Sequence, residues 1–102
     1  MFSMELVQEW LREANKIVQA KRPAVELVAD RGGRRYVKIV EKHHGFGEPQ
    51  IKSVFAFIDT QTGFILKPAS WKAPARGVRG TLADIPDAMQ WVSYFGIKSY
   101  QR

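Results

Sequence analysis

From Val7 to Val18 the apolar residues fall three or four apart, at Val7, Trp10, Leu11, Ala14, Ile17 and Val18; past Pro23 the recurrence changes to every second residue. The first spacing draws one stripe on a helix, and the second draws the two faces of a sheet. Such a chain must fold by laying a helix on a sheet. Glu5, Gln8, Glu9, Arg12, Glu13, Lys16 and Gln19 occupy the polar side of the helix. Ser3 is placed to cap it and Glu5 to complement its dipole, while Pro23 disfavours helical geometry at Arg22 and ends it near Ala20 to Lys21.

Strands are predicted from Val25 to Ala29 and from Arg35 to Glu41, joined by an Asp30-Arg31-Gly32-Gly33 turn, with Val37 and Ile39 opposite Tyr36, Lys38 and Val40. Lys42 to Pro49 reads as a loop. A third strand, Ile51 to Ile58, sets Val54, Ala56 and Ile58 against Phe55 and Phe57, the pattern of a central strand covered on both sides. The turn Asp59-Thr60-Gln61-Thr62-Gly63 follows, with Asp59 bonding the turn backbone and Gly63 free to be left-handed. Phe64 to Lys67 pairs back as a fourth strand. Pro68 to Gly80 holds two prolines and two glycines and is expected to be irregular. A second helix starts around Asp84 to Pro86 with Ile85, Ala88, Met89, Val92 and Phe95 as its stripe and Gly96 as its C-cap. The expected architecture is α+β in one domain over residues 1–102: an N-terminal amphipathic helix, a four-stranded, mainly antiparallel sheet and a C-terminal helix.

There is no cysteine, which excludes disulfides, thiolate zinc sites and cysteine nucleophiles. Met1 to Glu5 lacks the basic and apolar regions of a secretory signal, and Val54 to Ile58 is too short an apolar run to span a bilayer. Cytosol and no membrane are the expectation. Sixteen Lys and Arg against ten Asp and Glu leave a charge of +6 and a pI near 9.9. A field of that sign gathers phosphate-bearing partners.

The charge is unevenly spread. From Thr60 to Ala83 there is no acid, but Lys67, Trp71, Lys72, Arg76 and Arg79, with Gly77 and Gly80 beside the last two. Cations attract phosphate, Arg grips two oxygens, an indole offers a face to a base, and glycines admit backbone N–H groups to an oxyanion. A second basic cluster, Arg31, Arg34, Arg35 and Lys38 with Tyr36, lies on the first hairpin, where Arg34, Tyr36 and Lys38 share a face. His43 and His44 are adjacent and so poorly placed to share a metal ion, no motif calls for a cofactor, and the acids show no acid/base pairing. An enzyme is not expected. Trp91 and Tyr94 lie beside the apolar stripe of the second helix. They either widen its buried face or form a patch for self-association or for an acidic protein partner.

The segment Phe57, Asp59, Thr62, Gly63, Lys67, Trp71, Pro74, Arg79 and Gly80 resembles a pattern in small uncharacterised proteins of tailed bacteriophages, as does the ending through Tyr94, Gly96, Tyr100 and Arg102. Phe95 and the helix-like run Pro86 to Phe95 depart from that pattern. The resemblance implies a viral origin, the cytoplasm of an infected bacterium and no known enzymatic activity. Within it, the basic segment is expected to bind a nucleotide signal or a nucleic acid, to counter host defence or redirect host processes. Recognition of an acidic host or virion protein is the alternative, and a homo-oligomer is expected.

Overall fold

The computed structural model describes residues 2–30, 35–45, 47–70 and 74–98. Helix α1 runs Met4–Lys21, followed by β1 Val25–Asp30, β2 Tyr36–His43, β3 Gln50–Asp59, β4 Phe64–Pro68 and β5 Pro74–Thr81. A 3-10 turn, Leu82–Asp84, leads into α2, Ile85–Lys98. The strands form one antiparallel sheet in chain order, β1-β2-β3-β4-β5. The α+β class and both helices are as expected. The sheet has five strands rather than four.

The extra strand is the segment expected to be irregular. Its proline and glycines are tolerated because β5 is an edge strand: Pro74 sits at its first position, where a missing N–H costs least. Register shifts between Ile65 and Leu66, and between Leu66 and Pro68, bulge β5 against β4. Such bulges discourage an exposed edge from pairing further.

Both helices lie on one sheet face. Val7, Trp10, Leu11, Ala14 and Val18 of α1 are buried, as the stripe predicts, with Ile85, Ala88 and Val92 of α2. They close over Val25, Leu27, Val37, Ile39, Ala56, Ile58 and Ile65. Phe55 joins this side too, contrary to its alternation. Ile39 pairs with Ala56 and Val40 with Val54, which leaves Phe55 as the extra residue of a bulge. Its ring sits between the helices, 6.4 Å from Trp10 and 5.1 Å from Trp91. Trp91 therefore packs against the core, as the buried-face reading of that residue expects.

The ends of the helices differ from expectation in two details. Ser3 is the N-cap of α1 but makes no side-chain cap bond; its carbonyl accepts from Leu6 and Val7. At the other end of the chain α2 continues through Gly96 to Lys98, so that glycine is not a C-cap. A single glycine costs a helix about 1 kcal/mol, which does not outweigh continued hydrogen bonding. The start of α2 is as predicted: Asp84 accepts from the Asp87 N–H at 3.2 Å, and Thr81 accepts from Ala83 at 3.1 Å.

Candidate nucleic-acid interface

The turn between β3 and β4 is a junction of three chain segments. Asp59 accepts from the Gln61 N–H at 2.9 Å, and its carbonyl accepts from Gly63 at 2.7 Å. Thr60 donates through its N–H and its hydroxyl to the Arg35 carbonyl, at 2.9 and 2.8 Å. Phe2 donates to the Thr60 carbonyl, and Leu82 to that of Gly63, each at 2.7 Å. Gly63 has φ +76°, and a Cβ there would lie 2.6 Å from the Phe2 ring. Both conditions require glycine.

Arg35 closes this junction from the side. Its Nε lies 3.1 Å from both Asp59 carboxylate oxygens and its Nη2 lies 2.8 Å from Oδ2. The Asp59 side chain is buried, whereas that of Arg35 stays 46% exposed, with its guanidinium carbon 5.3 Å from the Tyr36 ring centre. The Arg35 hydrogen bond holds the Asp59 carboxyl below its usual range; burial opposes the shift, and the Gln61 N–H adds to it. Arg35 is correspondingly raised, chiefly by the same hydrogen bond.

The basic segment folds onto the β4–β5 edge. Lys67 and Arg76 are exposed on β4 and β5, with exposed Gly77 and half-buried Arg79 beside them. A Cβ on Gly77 would lie 3.9 Å from an Arg79 guanidinium nitrogen, so these two positions are neighbours. Gly80 has a packing role: a Cβ there would lie 2.8 Å from Ala88 Cβ and 3.1 Å from its Cα, on α2. Close helix–sheet approach is thus a structural reason for glycine at position 80. Trp71 and Lys72 lie outside the described residues, as do Arg31 and Arg34 of the first hairpin.

Alternation places Tyr36, Lys38 and Val40 on the sheet face opposite the helices, as expected. Pairing then gives a continuous row across that face: Asp30, Lys38, Phe57, Leu66, Val78. The middle of the face is closed, since Val40, Phe57 and Leu66 are buried. Its β4–β5 border is accessible, with Phe64 42% and Val78 50% exposed. Along this row Lys38 and Val78 are three strand spacings apart, about 14 Å. Sequence reasoning missed Phe64 and Val78 because an exposed apolar residue in a strand carries the same alternation as a buried one.

The histidines meet acids. His43 Nε2 lies 3.2 Å from the same Glu41 oxygen that accepts from Arg22 at 2.7 Å, and His44 Nε2 lies 2.9 Å from Glu26. Arg22 and Glu41 are buried, pinning the end of α1 to β2. Among the described residues, no three His, Asp or Glu side chains are grouped to hold a metal ion, and no helix is long and apolar enough to cross a membrane. A surface depression on α1, lined by Met4, Glu5, Gln8, Glu9 and Arg12, belongs to neither basic cluster.

Fold and surface together define a two-layer α+β domain, with a helix pair on one face of an antiparallel meander and Lys67, Arg76 and Arg79 on its β4–β5 edge. Residues 1–100 match the Family of unknown function (DUF7717), and the chain belongs to that family. No curated protein and no solved structure shows significant similarity to it.

Proposed function

We propose that the protein is a non-enzymatic bacteriophage accessory factor whose β4–β5 hairpin binds the phosphates of a nucleic acid. On this reading it acts in the cytoplasm of the infected cell, on host defence or host processes. The phage setting rests on the motif resemblance. The ligand class rests on one observation: within an acid-free stretch of chain, 60–83, β4 and β5 pair at the border of the sheet and expose Lys67 and Arg76.

Geometry favours a polymer over a single nucleotide. A small ligand needs a concave site that buries most of its surface. An exposed edge suits a ligand whose affinity accumulates over many phosphate contacts, each releasing counterions. Packing of Trp91 on the core removes a main support for a protein-binding aromatic patch on α2.

Oligonucleotide affinity measured by anisotropy against salt tests the proposal. Binding should weaken steeply with salt, and Lys67→Ala with Arg76→Ala should reduce the log–log slope by about 1.5, the loss of two phosphate contacts. No binding at low salt, or an unchanged slope in the double variant, refutes it. Equal affinity for a mononucleotide with little salt dependence would redirect the site to a small ligand.

A further inference from the structure

The second face of the sheet carries a feature that phosphate binding by the hairpin does not use. Tyr36 pairs with Asp59, and Ile58 pairs with Ile65, so the next position toward the turn sets Asp59 beside Phe64. Phe64 in turn pairs with Thr81. One row therefore runs Tyr36, Asp59, Phe64, Thr81 across four strands. Within it Asp59 is buried and Phe64, the first residue of β4, is 42% exposed. Phe55 and Phe57 are buried, at 6% and 3%.

Arg35 stands over the same row. Asp59 takes its Nε and Nη2, and its remaining nitrogen, Nη1, makes no hydrogen bond to the described residues. The guanidinium is held by the carboxylate and by the Tyr36 ring, so little rotamer freedom is left to lose on binding. Its fork is fixed with one edge engaged and half of the side chain open to solvent.

We propose that Phe64 and Arg35 form a subsite for single-stranded nucleic acid, with a base stacked on the Phe64 ring and its phosphate received by the outward edge of Arg35. This deepens the nucleic-acid reading above and rests on it. The strand bearing Asp59, where Arg35 is anchored, and the strand bearing Phe64 are one spacing apart, about 4.8 Å, within the reach of one nucleotide. A base inside a duplex has both faces covered by its neighbours and cannot lie on a ring, so this subsite selects unpaired strands. Lys67 and Arg76 attract phosphate whether or not the strand is paired. The two sites thus divide the work: the hairpin supplies attraction and the subsite supplies preference.

The test compares labelled oligothymidylate with the same strand paired to oligoadenylate, on wild type, Phe64→Leu and Phe64→Trp. Phe64 is a surface residue, so both variants are expected to fold, which circular dichroism checks. Wild type should prefer the single strand. Phe64→Leu should lose roughly five- to a hundredfold in single-strand affinity with its duplex affinity and salt slope unchanged, and Phe64→Trp should restore or exceed wild type. Equal single-strand affinity in wild type and Phe64→Leu overturns the subsite and leaves the hairpin reading standing. So does a wild type that shows no preference between strand and duplex. A wild type that binds neither form removes the hairpin reading and this one with it.

Discussion

The Asp59–Gly63 turn and the β4–β5 hairpin belong to the same stretch of patterned sequence, yet physics treats them oppositely. In the turn, Asp59 and Thr60 are buried, and the segment is bonded to Phe2, Arg35 and Leu82. In the hairpin, Lys67, Arg76, Gly77 and Val78 face solvent. A pattern that runs through both therefore mixes two kinds of requirement. Phe57, Asp59 and Gly63 are demanded by the fold, and so is Gly80 through its contact with Ala88. Lys67 is exposed and makes no hydrogen bond or ion pair to the described residues, which leaves its charge available for a partner.

Substitutions should separate the two regions by size of effect. Asp59→Ala removes a charge-assisted pair and a turn bond at a buried position and should cost roughly 2–3 kcal/mol in denaturant unfolding. Gly63→Ala should follow at about 2 kcal/mol, from the left-handed backbone and the approach to the Phe2 ring. Gly80→Ala should cost about 1–2 kcal/mol, because the Ala88 backbone on α2 must yield. Acid should act on the turn through Asp59. The Asp59 carboxyl is lowered on folding, so its contribution is present above the unfolded value near 3.9 and is lost as pH falls through the lower folded value. Unfolding midpoints below about pH 4 should fall more steeply in wild type than in Asp59→Ala. Smallest of all, Lys67→Ala with Arg76→Ala should change stability by less than about 0.5 kcal/mol. A large loss there would break the comparison, since it would make the hairpin cations structural.

Much of this architecture was legible in the residues, and the failures have identifiable causes. The α1 stripe, the Pro23 stop and the Asp59–Gly63 turn depend on local spacing, and they appear where local spacing puts them. β5 was hidden because proline and glycine argue against strands in general but not against an edge strand with bulges. Phe55 was assigned to the wrong face because one extra residue in β3 reverses the alternation, and only the partner strand reveals it. At the candidate site, sequence picked out Lys67, Arg76 and Arg79 from their charge. It could not place Arg35 against Asp59, a contact between residues 24 apart, nor assign Gly80 to the Ala88 contact.

Sheet order equal to chain order also has a kinetic consequence. Each strand zips onto the one made just before it, so the connecting loops are short and their closure costs little entropy. The meeting of α1 with α2, bridged by Phe55, and the bond from Phe2 to Thr60 join distant parts of the polypeptide. The helix docking is expected after the rate-limiting barrier. Trimming Trp91 to leucine should hasten unfolding while leaving the refolding limb of a chevron nearly unmoved.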